Sequence, residues 1–432
     1  MKKKNFWQRD GVQSLIASLI CILLGLIIGY IVLLIINAEG ATGAMLKIIQ
    51  NFFKWNSTNM KLSNLGNTLV KTAPLIMCSL SILFAYKVGL FNIGAAGQYV
   101  AGACAALYAC FKWGWSWWAC LIFAGVAGAL LGVISGLLKA YCNVNEVISG
   151  IMLNWIALYT TNMMLSPFLT AGRKDTPELN SKAEYMNAII PQLGLGKLFN
   201  NNSYVGLAII VAIVAAFAVW IILDKTKFGY ELKATGFNKN AAKYAGMAEK
   251  RNIIVTLAIG GLLAGLGAGL LYLTNFSQWD CNQTSVPGMG FNGIAAAFLG
   301  GLNPIGAIFS SFFIQHITDG GSNVDLTKYC AQISDLISAI IIYLCGFTGF
   351  IKFMLNKRIA AKESAKAAEN ANAAENANAA ESAYAAESAN AAESANTAES
   401  VNAAERVNAA ESVQAAENIQ PAAGSDEKGG EQ

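Results

Sequence analysis

Twenty-three consecutive residues, Ser14 to Ile36, carry no charge and are almost all apolar. At 1.5 Å rise per residue, a helix of that length reaches across the roughly 30 Å of hydrocarbon in a bilayer. Apolar-dominated runs recur at 64–86, 92–111, 115–138, 147–169, 203–223, 252–273 and 334–355. Lipid offers the backbone no hydrogen-bonding partners, so such runs cross it as helices. The fold class expected is all-α, a polytopic membrane helical bundle of about 8–10 membrane segments. Composition agrees: 55% of residues are hydrophobic and only 13% charged, about half the charge of a typical soluble domain. A soluble α/β enzyme and a secreted disulfide scaffold are both excluded on that ground.

One region breaks the pattern. Residues 291–302 and 305–318 are apolar but short, and Asn303-Pro304 divides them. Proline lacks the N–H and crowds the preceding turn, so it interrupts a helix. The expectation for 291–318 is a broken or re-entrant pair beside a functional cavity, the setting in which irregular backbone survives at membrane depth.

Charge predicts the orientation. The segment 224–251 holds seven bases (Lys225, Lys227, Lys233, Lys239, Lys243, Lys250 and Arg251), whereas 274–290 holds none. Basic loops stay in the cytoplasm. With an uncleaved first span and the basic N-terminal arm inside, 171–202 and 274–290 lie outside and 224–251 inside. A re-entrant 291–318 then leaves the C-terminal tail cytoplasmic.

The charge distribution also divides the chain. Residues 357–432 hold 6 bases and 13 acids, a net of −7; subtracted from the whole-chain +4 this leaves +11 for residues 1–356. In the tail, glutamates recur every sixth residue from Glu363 to Glu417. A six-residue step turns 600° around a helix and scatters them over three faces, leaving no apolar seam. The expected organisation is a transmembrane domain at 1–356 and an acidic, Ala/Glu/Asn-rich cytoplasmic tail at 357–432, disordered or partly helical.

Several chemistries lack their residues. The single histidine, His316, rules out a His-rich metal site or a His-based triad. Seven of the nine cysteines lie in or beside apolar runs, none in a CxxC pair, and read as reduced core residues; Cys281 and Cys330 fall in outer loops. No clustered nucleophile or acid–base pair marks an enzyme, and no nucleic-acid-binding density of bases is present.

Four stretches interrupt the apolar spans with amides and glycines. In PLIMCSLSILFAYKVGLFNIGAAGQ (74–98), Asn92 and Gln98 place amides at the start of a span, where an unpartnered polar group is costly and turns toward the bundle or a pathway. In NEVISGIMLN (145–154), Glu146 sits at a span's inner end and Asn154 lies deeper, on roughly the same face. GYELKATGFNKNAAKYAGMAEKR (229–251) is a basic inside loop with small residues at its turns. GMGFNGIAAAFLGGLNPIGA (288–307) carries Asn292 and Asn303 through the break.

Together, in this order, the four stretches resemble the membrane permease of bacterial nucleoside-type ABC importers, within the branched-chain amino acid and ribose permease superfamily. The resemblance covers about 70–355; Ala96 stands where the family pattern carries an acid. It implies a permease subunit that forms the translocation path by alternating access and has no catalysis of its own. Its implied partners are a cytoplasmic ATPase binding ATP and Mg, a second permease subunit (the same or related), a lipid-anchored solute-binding protein outside, and membrane lipid. The absence of a G-x-x-x-x-G-K-[ST] loop fits: no cofactor is expected in this chain. On that reading Gly236, Asn238, Ala241, Ala242 and Gly246 belong to the segment that couples to the ATPase. Asn92, Gln98, Asn154 and Asn292 line the solute path, where amides suit a nucleoside's polar edge. Trp155 has the face to stack on a base, though packing is its simpler role. The alternatives are a sugar or other small polar solute carried by the same machine, or a stand-alone secondary transporter, which should carry charged coupling residues at mid-membrane.

Overall fold

The computed structural model describes residues 10–417 except 171, 326, 331 and 332. The chain divides into two compact units, Met1–Asn356 and Lys357–Gln432.

In the first unit the helices are α1 (Asp10–Ile36), α2 (Ala38–Gln50), α3 (Thr58–Lys87), α4 (Ala95–Trp113), α5 (Trp117–Cys142) and α6 (Glu146–Leu165). Two short turns follow, α7 (Ala183–Met186) and α8 (Leu195–Leu198). Then come α9 (Leu207–Lys225), α10 (Lys227–Phe237), α11 (Lys239–Tyr244), α12 (Glu249–Tyr272), α13 (Met289–Leu299), α14 (Pro304–Gly321) and α15 (Ile333–Cys345). The last helix, α16, begins at Thr348 and runs through Glu417. Among the described residues, extended pairing is limited to one bridge, Asp175 with Asp280. The all-α bundle is the one its apolar runs predict. Five of its helices (α1, α3, α5, α9 and α12) are long and apolar enough to cross a bilayer.

The bundle has two ends. The loop end carries α10 and α11; the far end carries the 166–206 and 273–288 connections. Between them, exposed apolar residues recur every fourth position: Leu19, Leu23, Ile27, Ile31 and Ile35 on α1, and Trp118, Ile122, Val126, Leu130 and Ile134 on α5. Stripes of this size on a folded surface belong against lipid.

Inside, α12 packs on α3, α4 and α5. The α5–α12 contact is built on glycines four apart: Gly128, Gly132 and Gly136 on one helix, Gly261, Gly265 and Gly269 on the other. A Cβ at Gly128 would strike the Gly261 carbonyl oxygen, and one at Gly132 the Leu257 carbonyl oxygen. Without side chains the two backbones lie in direct contact, which replaces the hydrophobic driving force that lipid cannot supply between helices. Near the far end, Lys71 Nζ on α3 lies 2.8 Å from Asp319 Oδ1 on α14, with Gln315 donating to the same oxygen at 2.9 Å.

Two expectations need correction. Of the two short helices foreseen in 291–318, only α13 is short; α14 has 18 residues, about 27 Å at helical rise. Asn303 and Pro304 divide α13 from α14, as the sequence predicts, and start the second helix: the Asn303 side chain accepts from Ile305 N at 2.9 Å, and proline occupies the first turn, where its missing N–H costs nothing. The span expected at 334–355 is split by a turn at Gly346-Phe347, where Gly346 N bonds Tyr343 O at 3.1 Å. In addition, α2 is a far-end helix that the apolar runs did not reveal, because only one face of it is buried.

In the second unit residues 357–417 are helical. The reason is composition: residues 357–417 contain no glycine or proline and are rich in alanine. Its serines bond back into the helix, as Ser382 Oγ does to Asn378 O at 2.7 Å.

A β-branched side chain in the glycine seam should separate α5 from α12. Gly261→Val is expected to lower stability by about 1–3 kcal/mol, the usual range for overpacking, seen as a fall in the melting temperature of the detergent-purified protein. Gly349→Ala, with open space around it, should melt with the wild type.

Candidate functional site

Helix α3 ends at Lys87 in a glycine cap. Gly89 adopts φ +75, a conformation that costs glycine little. Its N–H bonds Tyr86 O, and Leu90 N bonds Ala85 O, each at 3.0 Å. This is the double closure that satisfies a helix's last carbonyls. The chain then runs non-helically through Asn92 and Ile93, and α4 starts only at Ala95.

That start lies inside the bundle. Gly97 of α4 packs on Asn154, eight residues into α6 and so about 12 Å along it. The N-terminal N–H groups of a helix have no partners within it and need one when buried. Asn154 supplies one: its Oδ1 accepts from Gly97 N at 2.7 Å, and its Nδ2 donates to Ile93 O at 3.1 Å. One amide thus closes both sides of the interruption. Gly150, one turn earlier, packs on Gly94. These glycines let α6 lie directly on the break.

Asn92 and Gln98 complete the arrangement. Asn92 Nδ2 donates to Gln98 Oε1 at 2.8 Å and to Ser81 Oγ at 3.0 Å; Gln98 Nε2 donates back to Asn92 Oδ1 at 3.3 Å. Asn92, Gln98 and Asn154 are 3%, 1% and 2% exposed, so these bonds are made away from solvent. The structure therefore gathers three of the four predicted path residues into one clasp around the α3–α4 break. Asn292 stands apart from their hydrogen bonds, half-buried one turn into α13. Its helix meets the clasp through Gly290, where an added Cβ would fall 2.7 Å from Ala96 Cβ. Two helices, α4 and α13, thus begin side by side within the bundle. Ala96 fills that contact.

The other residues singled out from sequence lie elsewhere. Glu146 Oε2 pairs with Lys139 Nζ at 2.7 Å and ties α6 to α5 at the loop end. Trp155 lies on the outside of α6, stacked on Tyr159 at 6.1 Å. A far-end cavity of about 190 Å³ lies between α2 and the 322–329 turn, lined by Glu39, Lys47, Asp325 and Tyr329 and remote from the amides. Among the described residues no cluster could hold a metal ion.

At the loop end, Asn238 caps α11 by accepting from Ala241 N at 3.0 Å. Ala242 is buried beneath α11, and Gly246 ends the segment at φ +80. Gly236 lies against Val88 and Gly89 of the α3–α4 turn. Sequence reasoning missed two residues here: Phe237 and Tyr244 are 90% and 94% exposed. Aromatics inside a basic, otherwise polar loop were the available signal.

All eight cysteines described are free, including Cys281 and Cys330 of the far-end connections. Burial, with Asp280 and Asp175 beside it, pushes the Cys281 thiol up to about 11, so it stays protonated and unreactive at neutral pH.

The clasp makes a direct prediction. Asn154→Ala leaves Gly97 N–H and Ile93 O unpaired in the interior, and should cost about 1–3 kcal/mol, read as a lowered melting temperature. Asn154→Asp keeps the acceptor for Gly97 but turns a second oxygen toward Ile93 O and buries a carboxylate, and should lose at least as much.

With this geometry in hand, comparison with known proteins places the chain. The profile of the family described as "Branched-chain amino acid transport system / permease component" matches residues 64–346. The guanosine ABC transporter permease protein NupP of Bacillus subtilis is 33% identical over 351 residues, covering 80% of this chain and 97% of its own. The nucleoside ABC transporter permease protein NupB of Lactococcus lactis is 32% identical over 371 residues, covering 82% and 97%. The glucose ABC transporter permease protein TsgB13 of Haloferax volcanii is 30% identical over 298 residues, covering 67% and 77%. No solved structure matches.

Proposed function

The chain belongs to the branched-chain amino acid transport system permease family, and on that premise we propose that it carries nucleosides, with ATP hydrolysed on a separate subunit. It is a multi-pass membrane permease subunit of an ABC importer and not itself an enzyme. The observation that carries the solute reading is the similarity over most of both chains to permeases named for guanosine and for nucleosides. The clasp is chemically compatible with it. Asn92, Gln98 and Asn154 offer neutral donors and acceptors, which suit an uncharged solute with amino, carbonyl and hydroxyl groups. In the present arrangement they are spent on one another, on the Ser81 hydroxyl and on backbone. A solute path lined by them, together with Asn292, therefore requires the clasp to open, each internal bond being exchanged for one to solute. A sugar is the second reading, since the glucose permease aligns over a shorter part of this chain.

The remaining assignments follow the same machine. The loop end faces the cytoplasm, by its excess of bases over the 274–290 connection. The ATPase docks on α10–α11, with Gly236, Asn238, Ala241, Ala242 and Gly246 shaping the segment. Phe237 and Tyr244 anchor it, as exposed aromatics commonly do at interfaces. A second permease subunit and an outer solute-binding protein complete the assembly, and the tail after residue 356 is a cytoplasmic appendage.

The decisive experiment is uptake of labelled guanosine into proteoliposomes holding the permease, its ATPase and its binding protein. ATP-dependent uptake, reduced by unlabelled nucleosides and not by glucose, is expected. Uptake without the ATPase, or competition by glucose alone, would refute the reading. Asn92→Ala and Gln98→Ala should each raise the KM for uptake about 3–10-fold, the equivalent of one neutral hydrogen bond. Tyr244→Ala combined with Phe237→Ala should reduce ATPase co-purification about 10-fold or more. Orientation has natural probes: Cys142 is exposed at the loop end and Cys330 at the far end. A membrane-impermeant maleimide on intact cells should label Cys330, and Cys142 only after permeabilisation.

A further inference from the structure

Helix α10 is fixed to three parts of the bundle by contacts that leave little slack. At its first turn Gly229 lies on the backbone of α9, where a Cβ would fall 2.7 Å from Leu223 O. Near its end Thr235, 1% exposed, accepts from Asn252 Nδ2 of α12 at 2.9 Å, and its own hydroxyl donates to Glu231 O at 2.8 Å. One residue later Gly236 meets the α3–α4 turn backbone to backbone. A Cβ on Gly236 would fall 2.9 Å from Gly89 N, and one on Gly89 2.9 Å from Gly236 O.

Gly89 is three residues from Asn92. Asn92 is held by Ser81 on α3 and by Gln98 on α4, and the start of α4 is held by Asn154 on α6. A displacement of α10 therefore acts on the α3–α4 turn without passing through a flexible side chain. Packed backbones in contact transmit a push because they cannot compress. The same junction holds a buried carbonyl oxygen, Asn252 Oδ1, that has no hydrogen-bond partner among the described residues.

We propose that the Gly236–Gly89 backbone contact is the joint that transmits movement of the cytoplasmic segment to the Asn92–Gln98–Asn154 clasp, making Gly236, Gly89 and Thr235 positioning residues for transport. This rests on the importer reading above. The joint differs in role from Phe237 and Tyr244: those hold the partner, whereas the glycines pass its motion inward.

The test measures solute imported per ATP hydrolysed in the reconstituted full complex. The wild type comes first, because absence of ATP-driven uptake there refutes the importer reading and not the joint. Gly236→Ala inserts a methyl that must push the two backbones apart by roughly 1 Å to reach ordinary contact. The expected result is an ATPase that still co-purifies and hydrolyses ATP, with uptake per ATP lowered about 10-fold or more. An unchanged ratio overturns the proposal. So does loss of ATPase co-purification from folded protein, which would make Gly236 a docking residue only. If Gly236→Ala does not fold, Thr235 decides. Thr235→Val removes the hydroxyl that binds Asn252 without adding bulk and should lower the ratio, and Thr235→Ser should restore it. Equal ratios for the two would overturn the joint.

Discussion

A helix that starts inside a membrane bundle turns its first amide N–H groups into the buried interior, and the contacts around that start follow from how those groups are bonded. Asn154 bonds one of them across 57 residues of sequence, accepting from Gly97 N and donating to Ile93 O. Its position fixes much else. Gly150 and Gly97 must be glycine for α6 to come close enough. Asn92 and Gln98 must pair, because the non-helical stretch they flank brings their amides into the interior. Interior polar groups of this kind are costly unless fully bonded, and a chain that needed only stability would run the helix through.

The interruption sits beside its opposite. The α5–α12 seam is continuous helix against continuous helix, with Gly128, Gly132, Gly261 and Gly265 bringing backbones together along several turns. Such contacts have one good arrangement. The clasp is made of a few hydrogen bonds that can be exchanged, and α13 begins beside it. The bundle is thus a frame with two interrupted helices set into it; the α10–α11 segment meets the interrupted part through Gly236 and the first turn of α12 through Thr235 and Asn252. This division is what a permease needs, since alternating access requires some elements to shift while others hold the membrane-spanning structure.

Much of this was legible in the chain. Runs of apolar residues located the spans, and polar interruptions within them marked where the structure is irregular. Asn92, Gln98 and Asn154 stood out because amides are rare in such runs. Their partners did not, because hydrogen bonds from Asn154 to Gly97 and Ile93 join residues far apart in sequence, and periodicity carries no such information. The same limit explains α2, whose buried face is supplied by α1 and α14. It also explains the turn at Gly346, which divides a stretch that reads as one apolar-dominated run. Asn303-Pro304 was legible as a boundary, because the same two residues that cannot continue a helix are an efficient way to begin one. Phe237 and Tyr244 were overlooked because exposure is a tertiary property.

Alternating access in this bundle requires the interrupted helices to move while the glycine seam holds. Backbone hydrogen–deuterium exchange of the assembled complex measures both at once, comparing the nucleotide-free state with one trapped by ATP and vanadate. Exchange in segment 88–98 should change between the two states while that of 121–136 and 254–269 stays constant. Unchanged exchange at 88–98 in a complex that imports solute, with the difference instead in the α5–α12 seam, would contradict the account.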